Sequence, residues 1–270
     1  MPVSVSESPA PARFVALLLA LLMLASPAPA TAVPQDTQAD EVIGDPFEGI
    51  NRQIFKANNF FDRIFFKPLA QAYDFILPDS LQASIGNALR NLGSPLNFAN
   101  QLLQGDFKGA GKTLGRFVVN STLGVGGLVD FADAELNWEH ENEDLGQTLA
   151  VWGVPSGPYL ILPFFGPSTV RDAFGLGVES FGDPLDIWLR NNDELVFRTS
   201  RTGVAALDGR ASALGLLEEL RDGSLDFYSA LRSSFTQRRE SLIRDGERME
   251  LEFPDFDQEG FYQPASGEAD

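Results

Sequence analysis

The sequence predicts an all-α body of short amphipathic helices with one short irregular or extended hairpin. Three observations carry this. Helix starts are marked by Asp45–Pro46, Lys67–Pro68, Ser94–Pro95 and Asp183–Pro184, a polar residue followed by a proline whose missing N–H costs nothing in a first turn. No period, heptad or strand-rich block recurs along the chain. One stretch, Val151–Asp172 (VWGVPSGPYLILPFFGPSTVRD), holds Pro155, Pro158, Pro163 and Pro167 around the apolar run Tyr159–Phe165. Those prolines exclude an ordinary helix, and the aromatic and aliphatic side chains exclude an ordinary water-facing loop.

The elements follow in order. Arg13 precedes the apolar run Phe14–Leu24, too short to span a bilayer, and a small-residue ASPAPATA region follows it. Residues 1–30 therefore read as a signal peptide, with cleavage after Ala30 or Ala32, or alternatively as an uncleaved anchor. Residues 31–44 read as a disordered linker, 45–244 as the helical domain and 245–270 as an acidic disordered tail. Asp45 is expected to cap a first helix bearing Phe47, Ile50, Ile54, Phe55, Phe61, Ile64 and Phe65 on one face. Pro68 opens a second helix to about Leu77. A third follows Pro78–Asp79–Ser80, a fourth runs from Pro95 to Gly105, and a fifth starts at Asp106. After the flexible break Gly124–Gly127, the charged run Glu139–Asp144 caps the next helix. Beyond Asp172 come the stretch AFGLGVESFGDPLDIWL with a Pro-opened turn at Asp183–Pro184, a long helical region over Asn192–Leu220, and a last helix over Leu225–Arg244. The basic Arg238, Arg239 and Arg244 in that last helix suit the helix dipole.

The chain has 270 residues, 44% of them hydrophobic, and a net charge of −18, a balance that excludes nucleic acid as a partner. Cysteine is absent, so disulfides and thiol chemistry are absent too. Gly111-Lys112-Thr113 imitates the end of a phosphate-binding loop, but Asp106 stands where its first glycine belongs, so no nucleotide site is expected. The single histidine, His140, lies among carboxylates. It reads either as part of a metal or acid–base site or as part of a solvated, capping charge run. No catalytic constellation emerges, and no cofactor is implied.

Phenylalanine is abundant, 22 residues against 4 Tyr and 3 Trp. The rings either fill a Phe-rich core or face an apolar phase. No segment after the leader reaches about 18 apolar residues, so no standard transmembrane helix is expected. Short, proline-broken, Phe-rich helices fit a body lying in one leaflet. Irregular backbone at membrane depth is tolerated where protein buries it or it lines a polar cavity, which suits Val151–Asp172. Arg171, Asp172 and Arg201 would then face that cavity or each other.

DPFEGINR (Asp45–Arg52), LLQGD (Leu102–Asp106), RFVVNSTLGVGGLVDFA (Arg116–Ala132) and LGQTLAVWGVPSGPYLILPFFGPSTVRD (Leu145–Asp172) resemble the MlaA (VacJ) family of outer-membrane phospholipid-transport proteins. The resemblance covers about Asp45–Arg221. It implies a doughnut-shaped helical body in the periplasmic leaflet of the outer membrane, around a central amphipathic channel. It further implies removal of misplaced phospholipid from the outer leaflet, transfer to a soluble periplasmic carrier of the MlaC type, and association with a porin trimer. A mobile hairpin is implied at Leu145–Pro155, placing Leu145, Leu149, Val151, Trp152 and Pro155 at a gate. Tyr159, Phe164 and Phe165 would form the apolar side of the channel, and Arg171, Asp172 and Arg201 its charged side. Known members carry a cysteine at the cleavage site, and this sequence does not, so its helices and a porin are expected to hold it in the leaflet. The alternative is a soluble periplasmic scaffold whose Phe-rich faces bind protein.

Overall fold

The structure is a computed structural model and describes residues 44–244. The expected signal peptide, nearly all of the linker and the acidic tail lie outside the described residues. The first helix, α1 (Glu48–Phe61), is followed without a break by a π-helical turn (Asp62–Phe66) and α2 (Lys67–Ile76). Pro68 therefore does not open a separate helix. The widened turn, closed by the Lys67 N–H on the Asp62 carbonyl, sits just ahead of the proline, a common way of passing a residue that cannot complete the ladder. Nor does Asp45 cap α1, which begins after Phe47. The Asp45 carboxylate instead accepts hydrogen bonds from Asn51 and from the Tyr228 hydroxyl.

The expected third and fourth helices are one, α3 (Asp79–Gln104), with Pro95 inside it. Packing along α4 (Phe107–Thr122) outweighs the one backbone bond the proline removes. Asp106 caps α4, its Oδ1 accepting from the Gly109 N–H at 2.9 Å. Gly111-Lys112-Thr113 lies within α4, and Lys112 pairs with Glu141 at 2.7 Å. A turn over 123–130 leads into α5 (Phe131–Leu136), and Asp144 then caps α6 (Leu145–Val151).

The chain next forms the antiparallel hairpin β1 (Tyr159–Leu162) and β2 (Gly166–Thr169), with Tyr159 opposite Thr169 and Leu162 opposite Gly166. Phe164 takes the left-handed conformation (φ 65°) at its tip, with Gly166 (φ 83°) two residues on. The outer edge of β1 is covered rather than left open. Gly44 accepts from the Tyr159 N–H. The Asn51 side chain donates to the Tyr159 carbonyl and accepts from the Ile161 N–H. Asn58, two turns further along α1, does the same for Leu162 and Phe164. Two asparagines on α1 thus act as a surrogate strand.

Then come α7 (Val170–Gly182), α8 (Pro184–Asn191), α9 (Leu195–Ser212), α10 (Leu214–Gly223) and α11 (Phe227–Ile243). The helical region expected over 192–220 is split at Ala213 into α9 and α10. Contacts run in a closed circuit from α1 through the π turn, α2, α9, α8, α7 and the hairpin back to α1.

Polarity is inverted across this body. Among the described residues, eight apolar ones are buried against eighteen polar or charged ones, and three of those eight are Tyr159, Ile161 and Tyr228 in one small cluster. The buried positions of α3 are Gly86, Asn91, Ser94, Asn97, Asn100 and Gln101, while Leu81, Leu102 and Leu103 on it are exposed. No phenylalanine among the described residues is buried. Of the two readings of the phenylalanine content, a Phe-rich core is therefore excluded. Phe60, Phe65, Phe75, Phe164, Phe165 and Phe181 present their rings outward.

Candidate functional site

The most heavily built polar centre lies where α6, α7 and α11 meet. Asp144 caps α6 by accepting from the Gln147 N–H at 2.9 Å. The Thr169 hydroxyl caps α7 at the Asp172 N–H, which sets Arg171 and Asp172 in the first turn, where a carboxylate is favoured by the helix dipole. Arg239, from the second half of α11, then closes the cluster. Its Nη1 and Nη2 grip the Asp144 carboxylate at 2.5 and 2.6 Å, and Nη2 also reaches Asp172 Oδ1 at 2.9 Å. Arg171 donates from Nε to the same Asp172 oxygen at 3.2 Å and from Nη1 to the Val154 carbonyl at 3.2 Å.

Two guanidiniums thus face two carboxylates, and the buried charge balances. Burial opposes the charge on Arg239, but the Asp144 and Asp172 carboxylates outweigh it and hold its pKa above the ordinary value. Burial likewise pushes the Asp144 carboxyl upward, and the Arg239 hydrogen bonds and charge reverse this to a net lowering. Glu179 lies beside the cluster. It accepts from the Leu145 N–H at 2.6 Å and from Asn100 at 2.9 Å, and burial raises its pKa.

The segment expected to form a mobile hairpin takes a different conformation. Leu145–Pro155 is not a hairpin: it is the helix α6 followed by a turn at Gly153, and the molecule's hairpin lies downstream at Tyr159–Thr169. The root of α6 is fixed. Gly146 and Gly175 cross so closely that a Cβ on Gly175 would stand 2.7 Å from the Gly146 nitrogen. The Thr148 hydroxyl bonds Asn100 at 3.1 Å. Leu145 and Leu149 are half-buried, whereas Val151, Trp152 and Pro155 are exposed. The Trp152 indole N–H donates to the Leu103 carbonyl at 2.9 Å.

The remaining expected residues divide three ways. Tyr159 is fully buried, against Tyr228 and Phe235, and is not a surface of any cavity described here. Phe164 and Phe165 stand exposed at the hairpin tip, and Phe164 packs on Phe61 of α1 with ring centroids 5.5 Å apart. Arg171 and Asp172 face each other. Arg201 is not brought to them: it pairs with Asp183 at 2.7 Å and Asp186 at 3.8 Å, where α7 passes into α8. Arg239, Asn51 and Asn58 were outside the expected set. A pair of asparagines seven residues apart on an otherwise apolar helix face was the available signal for the last two.

Two of the cavities among the described residues are open to a ligand. One, about 820 Å³, lies between α4 and the 138–143 segment and is lined by Lys108, Lys112, Trp138, His140 and Glu141. Burial, reinforced by the Arg116 and Arg90 charges, lowers the His140 pKa from 6.5 to about 4. The folded protein therefore holds His140 neutral while the unfolded chain protonates it. Its contribution is constant above pH 6.5 and turns against folding as pH falls from 6.5 to 4. Glu179 acts with the opposite sign, because its raised pKa favours folding as pH drops. Relative to wild type, His140→Gln is accordingly expected to gain melting temperature on going from pH 7 to pH 5, as read by circular dichroism in detergent. A wild-type-like pH difference would refute this. Among the described residues no group of three or more His, Asp or Glu is placed to hold a metal ion. The second cavity, about 300 Å³, lies between α1, the hairpin tip, α9, α10 and α11.

Residues 43–242 match the family model described as MlaA lipoprotein. The intermembrane phospholipid transport system lipoprotein MlaA of Haemophilus influenzae is 31% identical over 218 residues, covering 80% of this chain and 85% of that protein. Its counterpart in Escherichia coli K12 is 32% identical, covering 78% and 82%. An uncharacterized protein of Rickettsia bellii is 33% identical over 201 residues, covering 74% of this chain and 77% of that protein. A solved structure from work on the structural basis for maintenance of bacterial outer membrane lipid asymmetry superposes with a TM-score of 0.64 at 30% identity. It covers 74% of this chain and 99% of that chain.

Proposed function

The chain belongs to the MlaA family, and from that premise we propose that it moves phospholipid between membranes and so maintains outer-membrane lipid asymmetry. The observation that carries this reading is the inverted polarity. Buried asparagines, glutamines and ion pairs with outward phenylalanines suit a body whose solvent is lipid and whose interior handles polar groups. No described helix is long and apolar enough to cross a membrane, so the apolar surface fits a body lying within one leaflet. Burying about 300 Å² of such surface contributes on the order of 7 kcal/mol, enough to hold a helix at an interface.

The leaflet is the periplasmic one, reached through the N-terminal signal peptide. The closed circuit of helices and hairpin surrounds an amphipathic path. Misplaced phospholipid enters it from the outer leaflet and leaves to a soluble periplasmic carrier, and a porin trimer steadies the body. The exposed Val151–Pro155 end of α6 and the hairpin tip are the parts that move, because they carry fewer buried contacts than the pinned root. The test is a deletion strain with inner and outer membranes separated and outer-leaflet phospholipid measured. Loss of the protein should raise outer-leaflet phospholipid severalfold, and the wild-type chain should restore it while fractionating with outer membrane. Recovery of the protein soluble, lipid-free and without detergent would favour the protein-binding scaffold instead.

A further inference from the structure

The 300 Å³ cavity behind the hairpin tip has a composition that the packing alone does not require. Its walls are aromatic and aliphatic, from Phe55, Phe66, Phe164, Phe165, Phe227 and Leu231. Into the same cavity come three charged residues, Asp62, Arg210 and Arg221. Arg210 grips Asp62 with Nε and Nη2 at 2.6 and 2.9 Å. Its Nη1 is buried with no hydrogen-bond partner, and an orphaned charged donor of that kind is costly unless something meets it. Arg221 has no carboxylate within ion-pair distance among the described residues. A long 3.4 Å hydrogen bond to Asn59 and the Phe227 ring, 4.8 Å from the guanidinium carbon, hold it at the wall. Within the lining, two guanidiniums against one carboxylate leave one positive charge beside Asn58 and Asn59, with the Lys67–Glu218 pair outside it.

We propose that this cavity seats the phosphodiester of a glycerophospholipid, with Arg221 as the cation that meets it. The proposal deepens the transport reading and rests on it. The charge matches, since a phosphodiester carries one negative charge and guanidinium meets its paired oxygens in a planar fork. The size matches a part of the lipid. About 300 Å³ admits a phosphate with its glycerol but not two full acyl chains. The chains run out past Phe164 and Phe165, which are 65% and 73% exposed at the tip and already face the apolar phase. The phenylalanine walls distinguish this seat from one for free phosphate, which gains nothing from them. The phosphate would be held beside the hairpin, so a lipid in transit would pause there, and the tip would sense it through the Phe61–Phe164 contact.

The test uses the whole chain held in amphipol and titrated calorimetrically with dihexanoyl-phosphatidylglycerol below its micelle concentration, and separately with inorganic phosphate. Wild type should bind the lipid and bind phosphate at least a hundredfold more weakly. Arg221→Gln should weaken lipid binding about tenfold, the loss of one charge-assisted contact. Leu231→Trp fills the cavity with every charge intact and should abolish binding, so a folding defect in the first variant would not leave the question open. Unchanged lipid affinity in both variants overturns the proposal, and so does phosphate binding as tightly as the lipid. Wild-type complementation of the deletion strain is measured in parallel. If it fails, the transport reading falls. If it succeeds while both variants bind lipid normally, only this seat falls.

Discussion

Arg239→Ala is expected to cost about 3–5 kcal/mol of stability, the penalty for leaving a buried ion cluster with its cation removed. The residue is 8% exposed and makes three hydrogen bonds to two carboxylates on two other helices. Without it, Asp144 and Asp172 face each other beside the close Gly146–Gly175 crossing of α6 and α7, with only Arg171 left to neutralise them. For a domain of this size the cost corresponds to a fall in melting temperature of about 6–20 °C. Arg239→Lys should recover only part of the loss, because an ammonium cannot grip Asp144 with two parallel bonds and reach Asp172 as well. Arg239→Met combined with Asp144→Asn and Asp172→Asn should recover more than Arg239→Lys, since removing all the charges leaves none unpaired. Thermal melts in detergent decide it. An Arg239→Ala protein melting within 2 °C of wild type would sink the idea that this cluster ties α6 to α7.

The same cluster marks a boundary of what the sequence could tell. Asp106, Asp144 and Asp183 were readable as helix caps because a cap and its N–H lie two or three residues apart. The extended run Tyr159–Phe165 was readable because Pro158, Pro163 and Gly166 bracket an apolar stretch too broken to be helical, but the hairpin was expected upstream, at Leu145–Pro155. Arg239 instead looked like a complement to the dipole of its own helix, since its partners lie 95 and 67 residues away. Pro95 misled for the reverse reason. A local rule ended a helix there, and long-range packing on α4 overrode it.

The asparagines of α1 illustrate a subtler limit. On a helix facing water or a hydrophobic core, Asn51 and Asn58 read as interruptions of an apolar stripe. The inverted polarity makes sense of them: on the proposed reading of a body solvated by lipid, the inward face is where polar side chains belong. The phenylalanine content hinted at that inversion, but composition counts residues and cannot say which way they point. The charged residues taken as one channel group, Arg171, Asp172 and Arg201, are likewise split by the fold, because α7 separates its first turn from its last by its own length.

Asn51→Leu is expected to destabilise the fold by about 3 kcal/mol and to free the root of the hairpin. The Asn51 amide donates to Asp45 at 2.8 Å and to the Tyr159 carbonyl at 3.0 Å, and it accepts from the Ile161 N–H at 2.9 Å, all at 1% exposure. Leucine is close in size, so packing changes little. The backbone groups of Tyr159 and Ile161 on the outer edge of β1 are left without partners, at about 1–3 kcal/mol for each buried group. Asn51→Asp is expected to be at least as harmful, because it keeps the acceptor but loses the donor and sets a second negative charge against Asp45. Asn58→Leu should cost only about 1 kcal/mol, since Asn58 is half-buried and the Phe164 N–H it serves is near solvent. Hydrogen exchange separates these effects. Ile161 should lose protection by tenfold or more in Asn51→Leu and little in Asn58→Leu. Equal protection of Ile161 in wild type and Asn51→Leu would show that β2 alone holds the strand, and the hairpin would then need no clamp from α1.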